Sequence, residues 1–211
     1  MSNSVRRRDA EATKSKIIGS AMALFSKKGF DATTVDDIAE ASGVNKALLY
    51  YYFKNKAGLY SEVMTRVLDA IGAEVLAANA RCSDPLCELE AFITAYAVHA
   101  VKNPYFPALL LRELSDSGAH LPEMMFEKMR ELFALLRRIL ARGEAEGLFH
   151  DVVPMVVHFM IIGTLNLLVT TQPLREAAQR HDPDAQTCSD CPIEEIAAYL
   201  YRKIRRMLEE S

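Results

Sequence analysis

The chain has no tryptophan and only 9 glycines in 211 residues, and no run alternates apolar and polar side chains over the length of a strand. The missing alternation excludes a sheet with one face in water. Absent too are a glycine-rich phosphate loop, a His-Glu-x-x-His pair and a nucleophile elbow, and the 5 histidines are scattered. The commonest nucleotide, metal and acyl-transfer chemistries therefore have no carrier, and neither an enzyme nor a bound cofactor is expected. No apolar core follows the arginines of "MSNSVRRRDAEATKSK", which reads as no secretory signal and points to the cytoplasm. Four cysteines without such a signal are expected to be reduced thiols rather than a disulfide framework.

What is present suits helices: alanine, leucine, methionine, glutamate and arginine abound. Half the residues are apolar and a quarter charged, the balance of a soluble globular protein with room for a substantial core. The net charge of −3 hides a division. Residues 1–56 hold ten Lys/Arg against six Asp/Glu, whereas residues 57–211 hold fifteen against twenty-two. The basic surface is confined to the first quarter of the chain, as in a protein whose head meets nucleic acid.

Ile17, Ala21, Leu24 and Phe25 form the stripe of an amphipathic helix from about Ala12 to Lys28, which Gly29 stops. In "TTVDDIAEAS", Thr34 caps a second helix whose first turn carries Asp36 and Asp37, and which ends at Ser42-Gly43. Asn45 caps a third almost at once. Two short helices joined by a tight glycine-containing turn make a helix-turn-helix, whose second helix enters the DNA major groove. A long helix follows from Asn55 towards residue 80, and another starts at Asp84-Pro85. The chain restarts at "NPYFPALLLREL". Next comes a long amphipathic helix with Met125, Met129, Leu132, Leu136, Ile139 and Leu140 inward, ended by Gly147. "VVPMVVHFMIIGTLNLLV" is nearly long enough to span a bilayer, but Pro154, His158 and Asn166 interrupt it, so a helix buried on nearly all sides, by its own domain or a second copy, is expected. Residues 173–191 read as a polar surface loop, and a last helix from about Pro192 to Leu208 bears Ile196, Leu200, Ile204 and Leu208. The fold class is all-α, with about nine helices.

Residues 17–60, "IIGSAMALFSKKGFDATTVDDIAEASGVNKALLYYYFKNKAGLY", resemble the DNA-binding segment of the tetracycline-repressor-like (TetR/AcrR) transcriptional regulators. The shared positions are Ala-x-x-Leu-Phe-x-x-x-Gly-Phe, Thr-Thr-x-x-x-Ile-Ala, the Gly-Val turn and Leu-Tyr-x-x-Phe-x-x-Lys-x-x-Leu. The resemblance implies a DNA-binding head at residues 12–57, a linking helix at about 56–80, and a ligand-sensing and dimerisation domain at 58–211. It implies a homodimer on a palindromic double-stranded operator, a small-molecule effector, and repression more often than activation.

On the third helix, Leu48, Leu49, Tyr52 and Phe53 gather on one side and Lys46, Ala47, Tyr50, Tyr51 and Lys54 on the other. Tyr50 is expected on operator phosphate, with Tyr51 beside it on phosphate or a base edge. Tyr52 falls at the boundary, as a contact or as packing. Lys46 is a candidate for guanine or phosphate, Lys56 for phosphate at a helix N-terminus, and Thr33 or Thr34 for a similar contact. Asn45, Ala47 and Leu48 complete the reading surface but depart from the family, which carries small polar residues or glycine there. The arm "RRRDAEATKSK" adds phosphate or minor-groove contacts or is merely solvated.

The apolar helix at 152–171 and the last helix are the expected dimer surfaces. Candidate effector-lining residues are Tyr96, His99, Phe106, Arg112, Met125, Met129, Phe133, Phe159 and Asn166, for an apolar, drug-sized ligand. An alternative is a thiol- or metal-responsive regulator using Cys188 and Cys191, with Cys82, Cys87 or His181 as further ligands. A single Cys-x-x-Cys supplies only half of a zinc site, so inert thiols and no metal are expected.

Overall fold

The computed structural model describes residues 2–185 and 187–210, with side chains from Arg7 onward. Among the described residues there are ten helices and no strand. The chain forms two compact units: one comprises the residues up to Leu68 together with Ala108–Glu127, the other Asp69–Pro107 and the residues from Lys128 onward.

The first unit holds α1 (Ser2–Lys28), α2 (Val35–Ser42), α3 (Lys46–Phe53) and the first half of α4 (Lys56–Asn79), with most of α6 (Tyr105–Ser115) and the start of α7 (Glu123–Ala145). α1 begins ten residues before the expected Ala12, because its polar first half satisfies the helical backbone without having to bury a face. Ile17, Ala21 and Phe25 are buried, with α1 packed against α2. Phe25, Phe30 and Tyr60 form an aromatic cluster with centroids 4.9–5.9 Å apart. The Tyr60 hydroxyl donates to buried Glu113 at 2.5 Å, and burial together with that carboxylate holds its acidity well below that of an ordinary tyrosine.

The second unit packs α5 (Pro85–Lys102) against α8 (Pro154–Thr170) and α10 (Ile193–Glu209). Asp84 caps α5 through the Cys87 amide at 2.9 Å, with Pro85 in its first turn. Gly143 is required where α7 passes the following turn, since a Cβ there would lie 1.9 Å from the Phe149 ring.

Two expectations fail, and a third, the covering of α8, is met by its own domain on one flank only. The first half of the polar stretch from residue 173 lies in α9 (Gln172–His181), not in a loop; Pro173 stands in its first turn, where a missing amide costs nothing. Within its own domain α8 is covered on one flank, by α5 and α10, and Met155, Val156, Phe159 and Leu167 are about half exposed or more. It ends at a 59° bend into α9, and among the described residues no single helix is long and apolar enough to cross a membrane. Finally, the cysteines are not free thiols. Cys82 is joined to Cys87 and Cys188 to Cys191, each pair lying in one local turn with Cα atoms 5.5 and 5.0 Å apart, within bridging distance.

Candidate nucleic-acid interface

The corner between α2 and α3 is built by local chemistry. Thr34 and Asp37 form a reciprocal capping box, each side chain accepting the other's amide at 3.1 Å. Those bonds, first the Thr34 amide and then its hydroxyl, with Lys28 3.3 Å away, hold the Asp37 carboxyl below its ordinary 3.8. Gly43 adopts the left-handed conformation, φ 59°, that ends α2. The Asn45 side chain accepts the Ala47 amide at 2.8 Å and starts α3.

α3 is anchored by Leu49 and Phe53, which are 3% and 8% exposed. Rotation by about 100° per residue then turns Tyr50 and Tyr51 outward, and they are 45% and 78% exposed. Tyr52 is half-buried, its ring 5.3 Å from that of Tyr51 and 6.1 Å from Phe53. Asn45, Lys46 and Ala47 are exposed and Leu48 is partly so. This is one continuous surface carrying phenols, an ammonium and a methyl, the groups that meet phosphate, base edges and thymine.

Other expected contacts take a different form. Thr33 is fully buried and its hydroxyl donates to the Gly29 carbonyl at 2.7 Å, so of the two threonines only Thr34 is exposed. The Lys56 ammonium donates to the Phe30 carbonyl at 2.9 Å and lies over the Phe30 ring, so its role is first to hold the turn before α2. Lys46 is 2.8 Å from Asp36, and that hydrogen bond raises its affinity for its proton. Sequence periodicity places neither partner, because both contacts bridge separate elements.

The basic arm is not extended but helical. It brings the Lys14 ammonium to 5.6 Å from the Tyr52 ring and the Lys16 ammonium beside Gly43. The Arg6 side chain lies outside the described residues.

α4 starts hard against the end of α3. The Asn55 side chain accepts the Gly58 amide at 2.7 Å, and a Cβ on Gly58 would stand 2.3 Å from the Phe53 carbonyl oxygen. Glycine here lets the linking helix seat directly on the reading helix.

The expected effector-lining residues separate. In the second unit, Tyr96, His99, Phe106 and Asn166 are buried, and Tyr96 donates to Asn166 at 3.0 Å. Burial lifts the Tyr96 hydroxyl well above its ordinary value of 10.0. His99 Nδ1 lies 3.1 Å from Glu74, within ion-pair distance but not aligned for a hydrogen bond. Met129 and Phe133 are half-buried, with Phe133 edge-on to His158 at 5.3 Å. Phe159 is 66% exposed, so it lines no interior. Arg112 is exposed and donates to the Lys27 carbonyl at 3.0 Å, while Met125 is buried in the first unit.

Among the described residues no group of three or more His, Cys, Asp or Glu gathers to hold a metal ion. His181 is exposed on α9, and the two cysteine pairs are each closed on themselves.

A capped helix-turn-helix with an exposed Lys/Tyr face, on a chain that is all-helical among the described residues, is the arrangement by which DNA-binding regulators meet the major groove. Comparison with known families gives the narrower class. Residues 17–63 match the model "Bacterial regulatory proteins, tetR family", and residues 85–190 match "Tetracyclin repressor-like, C-terminal domain". The chain belongs to the TetR family and is a DNA-binding transcriptional regulator. It is similar to the HTH-type transcriptional repressor NicS of Pseudomonas putida, with 29% identity over 168 residues covering 76% of this chain and 77% of that one. It is also similar to IcaR of Staphylococcus aureus, a negative transcriptional regulator of a biofilm operon, at 51% identity over 49 residues. That match covers 23% of this chain and only 26% of IcaR. Among solved structures, the TetR family regulator PfmR of Thermus thermophilus superposes with a TM-score of 0.71 at 26% identity, covering 92% of this chain and 96% of that one.

Proposed function

We propose that the protein is a homodimeric repressor that binds a palindromic operator through α3 and is released by a small apolar effector. The observation that carries the DNA contacts is the two-sided α3: anchored by Leu49 and Phe53, it turns Tyr50, Tyr51 and Lys46 to solvent. Tyr50 and Lys46 take phosphate, Tyr51 takes phosphate or a base edge, Tyr52 rests on the seam beside Lys14, and Thr34, Asn45, Ala47 and Leu48 complete the surface. Lys56 joins them only through the charge it adds behind the turn. Repression is the mode named for both NicS and IcaR. The nucleoid, and with it the cytoplasm, is then its place of work.

Dimerisation rests on the outer face of α8 and α10. Phe159, Leu167, Tyr199 and Met207 are all at least 40% exposed, an apolar surface of the kind a second copy covers. A two-fold dimer sets two reading helices on half-sites a helical turn or more apart.

For the effector, Tyr96, His99, Phe106, Met129, Phe133 and Asn166 are retained as lining candidates, polar groups set among apolar walls. The effector acts by binding one spacing of the two heads better than the other, with α4 as the link between sensing and reading segments.

Selection of fragments bound by the purified protein from its source genome tests the reading. The expected result is a recurrent palindrome, bound with salt-sensitive affinity by a dimer. Absence of any salt-sensitive DNA binding overturns it.

A further inference from the structure

The sulfurs of Cys188 and Cys191 lie where α8, α9 and α10 meet, and their surroundings differ from those of the other pair. The Arg175 guanidinium, on α9, donates to the carbonyls of Cys188 and of Thr187, the latter at 3.3 Å, and to the Leu168 carbonyl in the last turn of α8 at 2.7 Å. Thr187 donates to Gln179 of α9 at 2.6 Å. Cys188 has φ 53°, a left-handed conformation that is uncommon for a residue with a Cβ. The crosslink to Cys191 and the Arg175 grip hold it there. Both cysteines border an open groove of about 540 Å³ shared with Leu168 of α8 and with Ile196, Tyr199 and Arg202 of α10. Cys191 is exposed and Cys188 partly so, so dissolved thiols reach the bond. The Cys82–Cys87 pair instead encloses the α5 cap, which the Asp84 bond to the Cys87 amide keeps without help from sulfur.

We propose that Cys188–Cys191 is a reversible thiol–disulfide switch, responsive to low-molecular-weight thiols and disulfides, that tunes self-association. This rests on the proposed dimer face of α8 and α10, whose Tyr199 borders the same groove. In the oxidised state the crosslink keeps Cys188 left-handed and its carbonyl on Arg175, so the loop forms a fixed rim beside Leu168 and Tyr199. A dithiol reductant opens it in two exchanges. Its thiolate attacks one sulfur, the Cys–Cys bond breaks, and the released cysteine thiolate takes a proton. The reductant's second thiol then displaces the other cysteine, closing the reductant's own disulfide. The pair gains two electrons and two protons, and a small-molecule disulfide reverses the reaction. Once reduced, Cys188 relaxes to negative φ, its carbonyl leaves Arg175, and the rim loses its order.

The test uses the full chain equilibrated across a series of reduced-to-oxidised dithiothreitol ratios, acid-quenched and alkylated with N-ethylmaleimide. Peptide masses report Cys188 and Cys191 separately from Cys82 and Cys87. Sedimentation equilibrium gives the dimer dissociation constant at each end of the series. Cys188 and Cys191 are expected to gain label together, and the dissociation constant to rise about tenfold on reduction, as ordering a few interface side chains warrants. The C188S/C191S double variant is expected to stay at the weaker value under all conditions, while C82S/C87S keeps the full response. Equal dimer constants in both states, or a C188S/C191S protein that still responds, overturns the switch and leaves the dimer standing. A monomer in both states overturns both.

Discussion

Replacing Gly58 by alanine isolates the contact on which the reading helix depends. The added Cβ would stand 2.3 Å from the Phe53 carbonyl oxygen, roughly 1 Å inside ordinary van der Waals contact. Neither atom sits on a flexible side chain, so the start of α4 or the end of α3 must move. Overpacking of this kind costs about 1–3 kcal/mol, against at most about 1 kcal/mol recovered by replacing a glycine in a helix. A net loss of about 1–2 kcal/mol should lower the melting temperature by about 2–4 °C per kcal/mol in a chain of this size. Gly19→Ala is the matched control: no atom lies within 4 Å of its added Cβ, so it should stabilise by about 0.5–1 kcal/mol. Thermal denaturation followed by circular dichroism measures both, and a gel-shift on the parent's selected fragments measures function. DNA affinity should fall in Gly58→Ala even where the protein is fully folded, because the displaced carbonyl belongs to the last residue of α3. If Gly58→Ala melts as high as Gly19→Ala and binds DNA undiminished, the α3–α4 corner does not constrain the reading helix.

Three further outcomes follow from the same geometry. Tyr50→Phe should leave the melting temperature unchanged and weaken binding to all sequences alike by about 0.5–1.5 kcal/mol, read by gel-shift, since it removes one hydroxyl from exposed phosphate-facing surface. Asp36→Asn frees Lys46 from its 2.8 Å partner and should steepen the slope of log affinity against log salt by about 0.9; an unchanged slope removes Lys46 from the phosphate contacts. Burial beside Phe133 holds the His158 imidazole below its ordinary 6.5. The unfolded chain therefore takes up the proton first as pH falls, and stability contributed by neutral His158 is present above 6.5 and declines below it. The parent's melting temperature should drop more between about pH 7.5 and about pH 5.5 than that of His158→Gln.

Much of the reading head is legible from the chain alone because its signals are local. The Thr34–Asp37 box, the Asn45 cap, the glycine at 43 and the split of Tyr50 and Tyr51 from Leu49 and Phe53 all depend on residues within four positions of one another. Backbone geometry fixes those relations before any tertiary contact forms. The ordering of helices and the Asp84-Pro85 start are legible for the same reason. α9 is not, because proline and polar residues signal a loop as readily as a first helical turn.

Other relations join elements distant in sequence. Nothing local shows that Lys56 reaches back 26 residues to Phe30, or that Lys46 meets Asp36 across the turn. The apolar run of α8 told how much greasy surface exists, not which side α5 and α10 would cover or that Phe159 and Leu167 would stay exposed. Nor did cysteine spacing show that Arg175 would pin Cys188 beside the ends of α8 and α10. Helix periodicity and capping are set by bonds three or four residues apart. Burial, ion pairing and the use of a sulfur pair depend on what the folded chain brings to within a few ångströms.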